Sequence, residues 1–370
     1  MSMRRVIADE IAARGPIPFS RYMELCLYHP ELGYYMRAAE QFGKAGDFYT
    51  SSDVHAVFGR LLARQFEEMW RALDCPARLD LIELGPGRGL FARDVLDWSA
   101  KKFPEFFHAL YYTLVERSAK LRQALEERLK PRIAGGKVSI RPDLDALERK
   151  VAEHAIVFAN EFFDALPVEV ATRDGEVWVD VSEGRLVEVF VAPSAEVLEF
   201  LDRYSVHPEA GERVEAGLTG QQWMARVAGV AKRGFFLMID YGYTRDQLLA
   251  GRHQGTVMAY RAHTASADPY EAPGEQDITA HVNFTALSAA GEQAGLAKLG
   301  LVTQSQFLMG IGEPTQFADA FEGCKLPQEH AKAALQLKHL VTPAGMGETF
   351  HVLVMGKEAG GEGIGGLKFY

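Results

Sequence analysis

The run Glu83-Leu84-Gly85-Pro86-Gly87-Arg88-Gly89 has the residue types of a ligand cradle. Glycines at alternate positions let the backbone turn sharply and leave room for a group lying against it. A helix beginning near Leu90 would aim its first N–H groups at the same place. The spacing is not the G-x-G-x-x-G of dinucleotide sites, because one residue and not two precedes the third glycine. Glu83 argues the same way: a carboxylate there repels a pyrophosphate and attracts the amino group of a methionine moiety. Glu116 ends the apolar run YYTLVE, where a carboxylate can accept hydrogen bonds from two ribose hydroxyls. Its distance from the glycines exceeds the usual span of about 20 residues, which a helix over 90–102 and the loop FPEFFH account for. Asp143, just past KVSIRP, is placed either to accept from an adenine amino group or to cap a helix over 145–153. Asn160 ends AIVFAN. Glu83, Glu116, Asp143 and Asn160 thus follow four successive apolar runs, and an ordered set of this kind is more specific than any one member.

Those residues need a sheet to bring them together. Apolar runs at 79–85, 111–116, 137–141, 155–161 and 234–242 alternate with helical patterns, the signature of a parallel sheet covered on both faces. The fold class is therefore α/β, a doubly wound, Rossmann-like sheet. LAKLGLVTQSQF and FHVLVMG (350–356) add further strands, the last of them antiparallel. Ahead of the sheet, helices are expected over Met3–Arg14, Phe19–Tyr28 and Leu61–Leu73, with an aromatic, glycine-rich connection between the last two. The alternation breaks between 168 and 232, where VEVATRDGEVWVDVSEGRLVEVFVA reads as three short strands with turns at Asp174–Gly175 and Glu183–Gly184. A helix over about Thr219–Arg233 closes that block, and 243–290 is irregular. The expected organisation is an N-terminal helical region and lid (1–75), a ligand-binding domain (76–167 and 233–356) and an inserted α+β substrate region (168–232 plus 243–290). A flexible glycine-rich tail (357–370) ends the chain.

Composition narrows the function classes. Of the 370 residues, 48% are apolar and 24% charged, as in ordinary globular proteins, and 50 acids against 40 bases give a formal charge of −10. Without a Lys/Arg cluster, nucleic acid is disfavoured as a partner, whereas a cationic substrate suits the net field. Cys26, Cys75 and Cys324 are too scattered for a disulfide framework or a zinc site, which fits a reducing, cytoplasmic location. No histidine–acid spacing marks a metal site. The N-terminus lacks an apolar h-region, and no stretch approaches the roughly 18 apolar residues of a membrane span.

The segment Asn160-Glu161-Phe162-Phe163-Asp164-Ala165-Leu166-Pro167 resembles the MidA family of methyltransferases, related to a mitochondrial complex I assembly factor. GKAGDFYTSSDV (43–54), IELGPGRG (82–89), MIDYGY (238–243), GTVMAYRAH (255–263) and GEQDITAHVNF (274–284) carry the same resemblance, which spans about residues 3–356. It implies a class I methyltransferase sheet, S-adenosyl-L-methionine (SAM) as methyl donor with S-adenosyl-L-homocysteine (SAH) as product, and a protein arginine as acceptor. The acceptor protein of the mitochondrial member is a complex I subunit.

With a guanidinium as acceptor, the protein's task is alignment and proton handling. Carboxylates can pin the guanidinium and take its proton. Glu161 is the first candidate and Asp164 the second, Asp164 being also a natural turn residue. Asn160 would orient acceptor or donor. His281 is a candidate proton relay or a structural turn residue, and Asp240 and Tyr241 either line the acceptor pocket or cap their strand. Asp47 and Thr50, with Ser51, would contact SAM if 43–54 closes over it. The competing readings are a small-molecule methyltransferase and a SAM-binding assembly chaperone without turnover.

Overall fold

The long apolar runs become the strands of one sheet. The computed structural model describes residues 2–37, 56–147, 151–249, 254–261 and 264–370. After Ile17–Pro18 (β1) come Leu79–Leu84 (β2), Leu110–Val115 (β3), Val138–Arg141 (β4) and Ala152–Asn160 (β5). Glu169–Thr172 (β6), Gly175–Ser182 (β7), Arg185–Val191 (β8) and Arg213–Ala216 (β9) follow, then the long strand Ala231–Tyr243 (β10). Met258–Arg261 (β11), Thr264–Ser266 (β12), Asp277–Thr279 (β13), Val282–Asn283 (β14), Ala297–Thr303 (β15) and Phe350–Lys357 (β16) complete the set.

The main sheet has the order β15-β16-β10-β5-β2-β3-β4, with β14 pairing the end of β10. Strands β2 to β5 and β10 run parallel, whereas β16 is antiparallel to both its neighbours, as the sequence led us to expect. Phe235–Asp240 is buried without interruption, as an interior strand covered on both faces must be. Alternate residues feed two cores. Phe158, Leu237 and Ile239 join Phe58, Phe66 and Phe91 on one face, while Val157, Phe236 and Met238 join Phe284 and Leu287 on the other. The sheet is doubly wound. Its register pairs Leu84 with Val115 and Ala159, Val115 with Arg141, and Ala159 with Met238. One step further, Gly85, Glu116, Pro142, Asn160 and Ile239 therefore stand in a row along the carboxyl edge.

A second sheet, β1-β7-β6-β9 with β8 on β7, and a small one, β12-β11-β13, lie outside the main sheet. They do not respect the expected boundaries. Ile17 of the N-terminal region pairs with Val179 of the insert, and Met23, Leu27, Val177, Val179 and Ile278 share one core. The helix Ala56–Ala72, expected from Leu61, instead buries Phe58, Leu62 and Phe66 in the core of the main sheet.

Three local expectations are corrected. Among the described residues the helix expected over 145–153 is not present: Leu144–Ala146 forms a single turn, Leu147 is extended, and β5 already begins at Ala152. Gln304–Gly312 is a helix and not the continuation of a strand, because Thr303 and Gln306 form a reciprocal capping box. The tail is not frayed. Gly365 donates its N–H to Glu68 (2.9 Å) and Gly366 to Gln65 (2.7 Å), and Ile364 is buried. Here glycine permits contact: a Cβ at Gly310 would come within 2.3 Å of the Gly365 carbonyl oxygen.

Candidate active site

At the carboxyl edge lies a cavity of about 860 Å³, lined by the glycine loop, by 116–117, by 160–167 and by residues from β10, β11 and β13. Gly85, Gly87 and Gly89 all take left-handed backbone angles (φ 63, 51 and 69°), which L side chains rarely adopt. A Cβ at Gly89 would also meet Leu125 at 2.4 Å, so this glycine seats the helix Ala119–Ala134 as well as starting Leu90–Lys102.

Glu83 is 4% exposed, and its carboxylate accepts a hydrogen bond from the Tyr112 hydroxyl at 2.8 Å. Burial raises its pKa to about 8 against the opposing effect of that bond. Glu116, also buried, accepts from the Ser118 N–H at 2.8 Å and is raised by burial to about 7. Two acids held near neutrality beside one cavity suit a ligand that brings positive charge and hydroxyl donors. Asn160 donates to Glu161 at 2.9 Å, while its own Oδ1 is buried and finds no hydrogen-bond partner. Buried polar atoms are normally satisfied, so an accepting atom here suits a bound donor such as an ammonium. Asp143 is exposed; its Oδ1 accepts from the Ala146 N–H at 2.8 Å, and it caps a turn rather than a helix while still lining the cavity.

Beyond Asn160 the chain reverses. Glu161 has φ 51°, a strained value for a residue with a Cβ. The N–H groups of Phe162, Phe163 and Asp164 then converge on Asp240 Oδ2 at 3.0–3.2 Å. Asp240 is 1% exposed and lies behind the cavity wall; burial, followed by the neighbouring Asp164 and Glu161, pushes its pKa up. Tyr241, the next residue, faces the cavity and donates its hydroxyl to Asp164 Oδ2. The other oxygen of Asp164 is buried without a hydrogen bond of normal geometry, and burial raises this carboxyl to about 6 against the opposing effects of Tyr241 and of the Ala165 and Asp164 N–H groups. His281 lines the same cavity, its ring 5.2 Å from that of Tyr241 and edge-on to it.

The structure thus gathers Glu83, Gly85, Gly87, Glu116, Asp143, Asn160, Glu161, Asp164 and His281 around one space. Gly89 stands behind it. Asp47, Thr50, Ser51 and the 43–54 segment lie outside the described residues. Sequence reasoning did not single out Tyr28, Tyr35, Tyr260 or Asp277, which also line the cavity. Tyr35 donates to Asp277 at 2.5 Å, and Tyr28 donates to the Ala165 carbonyl at 3.0 Å. Asp277 lies within GEQDITAHVNF, four residues before His281. Among the described residues, no group of three or more His, Cys, Asp or Glu is placed to hold a metal ion. No described helix is long and apolar enough to cross a membrane.

A doubly wound sheet with one antiparallel strand near its edge and a glycine loop at its carboxyl end is the architecture of class I methyltransferases. A family model for S-adenosyl-L-methionine-dependent methyltransferases matches residues 61–302, and the chain belongs to that family, the MidA-like one its motifs resemble. A COG1565 superfamily member from Burkholderia thailandensis, solved with S-adenosyl-homocysteine bound, is 30% identical with a TM-score of 0.86, covering 99% of this chain and 94% of its own. The mitochondrial protein arginine methyltransferase NDUFAF7 of Danio rerio is 30% identical over 94% of this chain and 85% of its own. The Homo sapiens protein of that name is 28% identical over 95% and 83%. The protein is a SAM-dependent methyltransferase.

Proposed function

We propose that the protein methylates an arginine guanidinium on a protein substrate, with a respiratory complex I subunit as the candidate acceptor. The observation that carries this is Asp164: a buried carboxyl on the cavity wall with one oxygen fixed by Tyr241 and the other without a hydrogen bond of normal geometry. A planar cation that donates N–H groups and then releases a proton satisfies that oxygen. The names of the NDUFAF7 relatives support the same acceptor, and the resemblance to an assembly factor supports the partner.

Glu83 and Asn160 hold the amino group of the donor, Glu116 its ribose, and Asp143 its adenine, while the left-handed loop Gly85–Gly89 makes room for it. SAM supplies an activated methyl group with a thioether leaving group. The chain's own residues do the rest. Glu161 and Asp164 orient the guanidinium for in-line attack. As the new N–C bond forms, the nitrogen sheds a proton and Asp164 takes it, which its pKa of about 6 permits at neutral pH. Tyr241 holds the Asp164 carboxyl in place and His281 relays the proton outward.

The test is transfer of labelled methyl from SAM to complex I prepared from cells lacking this protein, with methylarginine identified by mass spectrometry. Methylarginine on a complex I subunit supports the proposal. Label confined to a small amine, or SAH binding without any transfer, refutes it and favours the two competing readings in turn.

A further inference from the structure

We propose that Asp240 is a positioning residue for methyl transfer, holding the Glu161–Asp164 turn in its reactive shape from behind the cavity; this rests on the acceptor reading above. Its carboxylate makes four hydrogen bonds, all to backbone. Oδ2 accepts from Phe162 (3.2 Å), Phe163 (3.0 Å) and Asp164 (3.2 Å), and Oδ1 from Tyr241 (3.0 Å). Three consecutive amides aimed at one oxygen form an anion-binding concavity of the kind that successive backbone N–H groups make in a turn with a left-handed residue. The left-handed residue is Glu161. Nothing in a parallel strand end requires this conformation, and a non-glycine residue keeps it only when its surroundings over-determine it.

The register explains why Asp240 is the residue that does so. Ile239 pairs with Asn160, and the Glu161 N–H donates to the Ile239 carbonyl at 2.9 Å. The next residue on β10 therefore lies beside the turn that leaves β5. The dipeptide Asp240–Tyr241 then fixes Asp164 twice, its backbone through Asp240 and its carboxyl through Tyr241. Phe162 is carried by the same turn to pack on the glycine loop, where a Cβ at Gly85 would meet its ring at 3.1 Å, and edge-on against Trp223 at 5.1 Å. One buried carboxylate thus fixes the backbone that carries the acceptor carboxylates without touching the cavity itself.

Asparagine is the informative replacement, since its amide has a similar shape but only one accepting atom, so the three turn amides and the Tyr241 amide cannot all be satisfied. The experiment measures kcat per SAH-binding site, titrated by calorimetry, for Asp240→Asn, Asp164→Asn and the double variant in the complex I transfer assay. Expected is unchanged SAH affinity for Asp240→Asn, a kcat lower by on the order of 10²-fold from a misplaced reacting group, and a double variant no worse than the poorer single one. Wild-type kcat in a fully SAH-competent Asp240→Asn protein overturns the proposal, and so do losses that multiply. Wild-type turnover in Asp164→Asn sinks the acceptor reading and this inference with it, an outcome distinct from both. Should Asp240→Asn fail to fold, hydrogen exchange on the wild-type protein decides. Amides of 162–164 protected like those of β5 support the anchoring, and exchange at the rate of exposed loops overturns it.

Discussion

The two ends of the cavity are built by different physics. At the glycine-loop end, each functional side chain sits at or next to the end of a parallel strand, and register alone puts them in a row. Around Tyr241, residues come from the turn after β5, β10, β11 and β13, and side chains bonded to backbone hold them together. Asp240 anchors 162–164. Glu215 of β9 similarly accepts from the Thr256 N–H (2.7 Å) and hydroxyl (3.0 Å), and Thr256 in turn accepts from the His281 N–H (3.0 Å). Topology suffices to build the first end, while the second needs contacts between insertions. A donor common to many enzymes is served by what all such sheets share, and an acceptor particular to one enzyme by what is added.

The division predicts that substitutions at the two ends separate binding from turnover. The largest effect is expected at Asp164. Asp164→Asn removes a general base while keeping the shape of the turn, and transfer should fall about 10²–10⁴-fold with SAH affinity unchanged by calorimetry. Glu116→Ala should do the reverse. Losing hydrogen bonds to a charged group costs about 1.5–3 kcal/mol, so SAH should bind about 10–100-fold more weakly, with turnover recovering at saturating SAM. If Asp164→Asn weakens SAH more than Glu116→Ala does, the ends are not separable as drawn.

A titration sharpens the same contrast. Glu83 and Glu116 have folded-state pKa values of about 8 and about 7, raised by burial above the ordinary 4.5 of a glutamate. Between the unfolded and folded values the folded protein holds a proton that the unfolded chain has released. The sign is therefore that unliganded stability falls as pH rises from about 4.5 towards 8, by at most about 1.4 kcal/mol per pH unit per group. A ligand bringing an ammonium favours the ionised form of Glu83, so SAH binding should release protons below pH 8. Its stabilising effect in thermal melts should then grow with pH. Calorimetry at pH 7 in buffers of different ionisation enthalpy measures the release, and Glu83→Gln should diminish it. Binding without proton release at that pH would break the assignment of Glu83 to the donor's amino group.

How far each end was legible follows from the same difference. Glu83, Glu116 and Asn160 could be read because a strand end leaves a short contiguous trace: an apolar run, then a polar residue, then a helix pattern. The strand β16 is legible from its apolar run alone, which stands late in the sequence with no helix pattern after it. Tyr28, Tyr35 and Asp277 leave no trace of that sort, since each is brought to the cavity by packing between distant segments, 137 residues apart in the Tyr28–Ala165 bond and 242 in the Tyr35–Asp277 bond. Asp240 was noticed as a polar strand end, yet its task depends on the left-handed turn at Glu161, which no propensity announces for glutamate. The tail misled because glycine is read as freedom; here it allows close packing against Gly310 and Phe307. The missing helix at 145–153 misled because an acid after a strand marks either a ligand contact or a cap, and Asp143 does cap, but only a single turn.

Asp143 carries the smallest expected effect and decides how far the first end extends. It is exposed, and its Oδ1 is already engaged with the Ala146 N–H. A cap lost to alanine costs about 1 kcal/mol, so Asp143→Ala should weaken SAH by no more than about fivefold. That figure alone does not separate a cap from an adenine contact. S-inosylhomocysteine does, because its base carries a carbonyl where adenine carries an amino donor. If Asp143 accepts from the adenine amino group, the analogue and the alanine variant remove the same bond, and their combined loss by calorimetry equals the larger single loss. If Asp143 only caps the 144–146 turn, the two losses multiply, and the donor site ends at β3 with Glu116 as its last strand-end contact.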